Sequence, residues 1–123
     1  MKKVILDTNA VMAIAEFRID IFAELEKILD VPYQLGVLEG TLKELEQIVQ
    51  KQRLRFKKAA RLGLALLKAK KVQILPGEAQ VDAVLSDYSR RGALVLTQDR
   101  ELKKRLSKPY LTIRQKKRVV MVS

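Results

Sequence analysis

The chain has no cysteine and no histidine among its 123 residues. Without cysteine there is no disulfide framework, no thiolate zinc site and no sulfur nucleophile. Without histidine the commonest general base and the commonest transition-metal ligand are gone, and a Ser-His-Asp triad is excluded. Proline and glycine are also scarce, three and five residues, and they stand as punctuation between elements. The five glycines form neither a G-x-G-x-x-G nor a Walker loop. No apolar run approaches the length of a membrane span, and only Val4, Ile5 and Leu6 separate Lys2-Lys3 from Asp7, too few for a secretory signal. The lack of cysteine fits a cytoplasmic protein. Chemistry in this chain must rest on carboxylates, hydroxyls, lysine or arginine.

What is present is charge, unevenly placed. Residues 1–52 carry 6 basic and 9 acidic side chains, whereas residues 53–123 carry 19 and 5, for a formal net charge of +11. A basic half joined to an acidic half points to a polyanionic partner, nucleic acid first. Hydrophobic residues make up 48%, enough for a core, and the length suits one domain spanning 1–123.

Periodicity predicts strands at 3–6, 34–38, 72–75 and 93–96. It predicts helices at 10–16, 20–29, 54–69, 78–91 and 100–106, and a helix opened by a capping box at Thr41 and Glu44. Strands at 111–113 and 118–122 would form a terminal hairpin. Strands alternating with helices imply an α/β fold, a mostly parallel sheet wrapped by helices, with the apolar runs at Val4 and Leu94 at its centre. Such sheets bind ligands beyond the carboxyl ends of their strands.

That rule gathers four acids. Asp7 ends the first strand, Asp99 follows the fourth, and Glu44 and Asp82 lie near the starts of helices that follow strands. Each has a plain structural reading: an Asx turn for Asp7, the capping box for Glu44, a helix-dipole acid for Asp82, an N-cap for Asp99. Together they form a set that Mg²⁺ or Mn²⁺ could bind through oxygen alone. Such a centre suits phosphodiester cleavage, with the basic half holding the nucleic-acid backbone. The basic run from Arg53 to Lys71 has its own plain reading, a solvated helix face.

The segments Val4-Ile5-Leu6-Asp7-Thr8-Asn9, Leu42-Lys43-Glu44-Leu45, Val81-Asp82-Ala83-Val84-Leu85 and Leu96-Thr97-Gln98-Asp99-Arg100 resemble, in order and spacing, those of the PIN domain nucleases. The resemblance spans nearly the whole chain. It implies a three-layer α/β/α fold and a metal-dependent endoribonuclease holding one or two Mg²⁺ or Mn²⁺ ions on Asp7, Glu44, Asp82 and Asp99. It also implies that Asn9 and Thr97 orient these acids. Within the family the chain is more similar to the branch that processes ribosomal RNA than to the VapC-type toxins. Its acidic helix, basic helix and strand ending at Pro76 match that branch, as does the basic segment after Asp99. The implied partners are RNA, in particular a ribosomal precursor, a protein of ribosome assembly, and a second copy of the chain. The implied RNA contacts are Arg53, Arg55, Lys57, Lys58, Arg61, Arg100, Lys103, Lys104 and Arg105. The chain departs from the pattern at Val81 and Leu102, where relatives carry further acids, and at Gln98, where toxins carry Asn. Three other readings stay open: an inactive RNA-binding scaffold of the same fold, a toxin ribonuclease of the VapC kind, and a receiver-like phosphoacceptor, which would need an acid pair after the first strand that is missing here.

Overall fold

The computed structural model describes residues 1–123. Its elements are β1 (Lys2–Leu6), α1 (Thr8–Glu16), α2 (Ile21–Ile28), β2 (Tyr33–Leu38), α3 (Glu39–Lys51), α4 (Leu54–Ala69), β3 (Gln73–Leu75), α5 (Val81–Arg90), β4 (Leu94–Leu96), α6 (Arg100–Arg105), β5 (Tyr110–Arg114) and β6 (Arg118–Val122). The strands form one sheet in the order β3-β2-β1-β4-β5-β6. Five strands run parallel, and β6 returns antiparallel to β5 as the expected hairpin. The apolar strands β1 and β4 lie side by side at the centre, in the register Val4↔Leu94 to Leu6↔Leu96. No helix is long and apolar enough to cross a membrane.

Side chains alternate across each strand, so the sheet separates two cores. Val4, Leu6, Val37, Leu94 and Leu96 join the larger one with α1, α2, α3 and α4. Ile5, Leu38, Val95, Leu85 and Leu102 form the smaller one beneath α5 and α6. Burial of each such side chain contributes about 1.5–3 kcal/mol, which anchors β1 and β4 and so fixes where their carboxyl ends lie. Close contact of α1 with α4 depends on Gly63, where a Cβ would meet Val11 Cγ1 at 2.5 Å.

The capping box at Thr41 and Glu44 does not form. Helix α3 begins three residues earlier, at Glu39, with Leu38 rather than Thr41 as N-cap and no side-chain cap. A tertiary contact decides this: Gly40 N donates to Gly77 O at 2.8 Å, and Gly77 N donates to the Glu39 carboxylate at 3.2 Å. Gly40 is required there, because a Cβ would sit 2.7 Å from Glu78 O. Thr41 is thereby buried inside the first turn, its hydroxyl without a partner. Glu44 moves into the second turn. Helix α5 also begins later than expected, at Val81, after Gln80 adopts a left-handed conformation with φ 52°.

Candidate active site

Asp7 stands where β1 ends. Its backbone N–H extends the sheet by donating to Leu96 O at 3.0 Å, and Asp7 then becomes the N-cap of α1. Its Oδ1 accepts from Thr8 N at 2.9 Å, and its Oδ2 accepts from the Thr97 hydroxyl at 2.8 Å. The side chain is buried, at 7% exposure. Burial raises its pKa above the usual carboxylate range, the two hydrogen bonds oppose that rise, and the charges of Asp82 and Glu44 add to it.

Thr97, fully buried just after β4, joins the two central strand ends. Its hydroxyl donates to Asp7, and its oxygen accepts from Asp99 N at 3.1 Å. Asn9 Oδ1 accepts from Gln98 N at 3.0 Å, locking the same loop. Asp99 is the N-cap of α6, as its plain reading anticipated: Oδ1 accepts from Glu101 N and Leu102 N. This leaves Asp99 Oδ2 free of the cap. Thr97 thus bonds to both strand-end acids, whereas Asn9 bonds to neither and holds the intervening loop through Gln98.

Glu44 and Asp82 are exposed, on α3 and α5, and line one shallow cavity together with Arg105. They are near enough to Asp7 to raise its pKa. No three of the acids converge closely enough to hold an ion among them as their side chains stand. The donor chemistry nevertheless fits a hard divalent cation. Every candidate donor is an oxygen, and the charge of Asp7 is disfavoured by its burial and by two neighbouring acids. Mg²⁺ ordinarily takes one or two carboxylates and fills its remaining positions with water, so a closed ring of protein ligands is not required.

The basic residues divide into two groups. Arg53, Arg55, Lys58 and Arg61 are exposed along α4, with Lys57 half-buried. On α6, Arg100 is exposed, and Lys104 is paired with Glu101 at 3.4 Å. Lys103 is half-buried; desolvation first, then the charges of Arg100 and Arg114, lower its pKa, while Asp99 raises it. Arg114, at the end of β5, thus belongs to this cluster and was missed from sequence. The signal was available: β5 is parallel to β4, so the rule that places Asp99 at the rim places Arg114 there too.

A parallel α/β sheet with acids from separate elements around its carboxyl edge is the arrangement of a PIN-like domain. The chain belongs to that family: the model described as "PIN like domain" matches residues 4–116. Ribonuclease VapC4 of Methanocaldococcus jannaschii is 28% identical over 123 residues, covering 95% of this chain and 94% of that protein. Among solved structures, the PIN domain endonuclease Utp24 superposes with a TM-score of 0.77 at 23% identity, over 97% of this chain and 90% of that one. VapBC-1 from nontypeable Haemophilus influenzae superposes with a TM-score of 0.52 at 17% identity, over 84% and 91%. The fold expected from sequence is the one observed.

Proposed function

We propose that the chain is a metal-dependent endoribonuclease whose centre is Asp7, Glu44, Asp82 and Asp99. The observation that carries this reading is Asp7. A carboxylate buried at the end of the central strand, pressed by two further acids, is costly unless a cation joins it. Ribonuclease activity is also what the printed name of the VapC4 relative states for that protein.

A bound Mg²⁺ or Mn²⁺ supplies Lewis-acid polarisation of the phosphoryl group and an acidified water. The chain's own residues do the rest. Thr97 fixes the Asp7 carboxylate through Oδ2 and, through the Asp99 amide, sets where α6 begins. The α6 cap holds Asp99 Oδ1 and leaves Oδ2 for the centre. Glu44 and Asp82 complete the donor set from the opposite wall, and Arg105 beside them is placed to meet a phosphate. Lys103, Arg100 and Arg114 gather positive charge beside Asp99 and would steady the RNA backbone.

A ribosomal RNA precursor as target rests on the branch-like features of the segments 41–76 and 100–106. The identity to Ribonuclease VapC4 favours a toxin role instead. The test is cleavage of a long structured RNA by the purified chain in Mn²⁺, beside EDTA and Asp7→Asn controls. Cuts that need the metal and vanish in the variant support the nuclease. Salt-sensitive RNA binding without any cut would replace it with the scaffold reading.

A further inference from the structure

Helix α1, which leaves the acidic rim, and strand β5, which runs up to and past it, meet at a second site. Helix α1 starts at Asp7 and ends with Glu16 and Phe17. Strand β5 passes Arg114 into the turn that holds Lys116. Both reach α4, and together they enclose a cleft of about 750 Å³ whose walls include Arg55, Lys58 and Leu62. Three cations face one acid there. Its apolar side is formed by Leu62, an exposed large hydrophobic residue, and by the half-buried Phe17 ring. Lys116 Nζ lies 5.4 Å from the centre of that ring. An exposed ammonium over a ring is weakly held, so a flat base can take its place.

We infer that this cleft is an RNA subsite separate from the acid centre: a base of a single-stranded stretch rests on Phe17 and Leu62, and Arg55, Lys58 and Lys116 meet the adjoining phosphates. The inference rests on the ribonuclease reading and adds to it a second hold on the substrate. An aromatic surface bordered by cations is the general chemistry of single-strand binding. The net positive charge of the cleft, with Glu16 the lone acid, selects a polyanion. Its place is suitable. Ten residues of α1 path separate Asp7 from Phe17, about 15 Å at 1.5 Å per residue. At about 3.4 Å per stacked nucleotide, roughly four nucleotides lie between the cleaved bond and the subsite.

The test is anisotropy of a labelled, unstructured 20-nucleotide RNA in EDTA, so that no cleavage occurs, over a series of salt concentrations. The combined variant Arg55→Glu, Lys58→Glu, Lys116→Glu should bind at least tenfold more weakly. Its dependence of log affinity on log salt should be shallower by about 2, at about 0.7 for each lost phosphate contact on a single strand. Phe17→Leu should weaken binding about fivefold or more and leave the salt slope unchanged, because stacking releases no ions. If Phe17→Leu lowers the melting temperature, Lys116→Glu alone, in an exposed turn, should still reduce the slope by about 0.7. An unchanged slope in the combined variant overturns the subsite. So does a poly-glutamate peptide that binds the wild-type chain more tightly than the RNA does and is released by the same three changes, which would assign the cleft to an acidic protein segment. Loss of all RNA binding by the wild-type chain would be a different failure, that of the ribonuclease reading itself.

Discussion

The two walls of the acidic rim are built differently. On one, Asp7 and Asp99 sit at the ends of the central strands. They are tied to Thr97 and to the backbone amides of α1 and α6 by bonds of 2.8–3.2 Å, and Asn9 holds the loop between them through Gln98 N at 3.0 Å. On the other, Glu44 and Asp82 stand exposed on two helices and share an open cavity with Arg105. The first wall is preorganised by burial and hydrogen bonding, whereas the second can adjust its rotamers. In the proposed centre, a division of this kind would fix one pair of donors at the cost of burying a charge, and let the other pair adjust to a cation. The rigid wall should therefore carry most of the catalytic effect.

Graded substitutions can break that comparison. Asp7→Asn should lower Mn²⁺-dependent cleavage by about 10³-fold or more, since several kcal/mol of charge stabilisation go with the ion, while RNA binding in a gel-shift assay persists. Thr97→Val keeps the shape and removes the shared hydroxyl. Cleavage should fall up to about 100-fold, as for groups that orient metal ligands. Unfolding in urea should show a loss of about 1–3 kcal/mol from the unpaired Asp7 oxygen and Asp99 amide. Glu44→Gln and Asp82→Asn should each cost roughly tenfold, about 1.4 kcal/mol, seen as a higher Mn²⁺ concentration for half-maximal rate. If either matched Asp7→Asn, the division into a rigid and an adaptable wall would be wrong.

The smallest effect concerns stability. Asp7 has a raised pKa in the fold, so folding disfavours its charged form relative to the unfolded chain. The corresponding stability is present in full below the ordinary carboxylate range and is lost as pH rises through the raised value. The contribution of this group to the stability of the metal-free protein should thus be smaller at pH 7 than at pH 4. Asp7→Asn should raise the metal-free melting temperature at pH 7 by a few degrees. Mn²⁺ should stabilise the wild-type chain and not the variant. A wild-type chain indifferent to Mn²⁺ in calorimetry would count against Asp7 as a ligand.

Much of this site was legible in the linear sequence. An apolar run ending in Asp7-Thr8-Asn9, and another ending in Thr97-Gln98-Asp99, are strand ends by composition alone, and parallel strands place such ends at one edge. Glu44 was harder. Its position three residues after Thr41 imitates a capping box, and local pattern cannot show that Thr41 is buried or that Gly40 is pinned against Gly77. Arg114 was missed because it ends a strand flanked by a basic turn, where charge reads as solvated surface.

What the sequence determined by itself was which residue types are available for chemistry and the alternation of elements. Residue types limit the available ligands and bases, and period-2 and period-3.6 patterns follow from backbone geometry that each segment carries locally. Only the tertiary structure decided where α3 begins, that one threonine hydroxyl joins two strands ninety residues apart in the chain, and that α1, α4 and the β5–β6 turn enclose a cleft beyond the rim. These depend on which surfaces meet, and close packing across distant segments overrides local preference because burial and hydrogen bonds made there outweigh the fraction of a kcal/mol that propensity supplies.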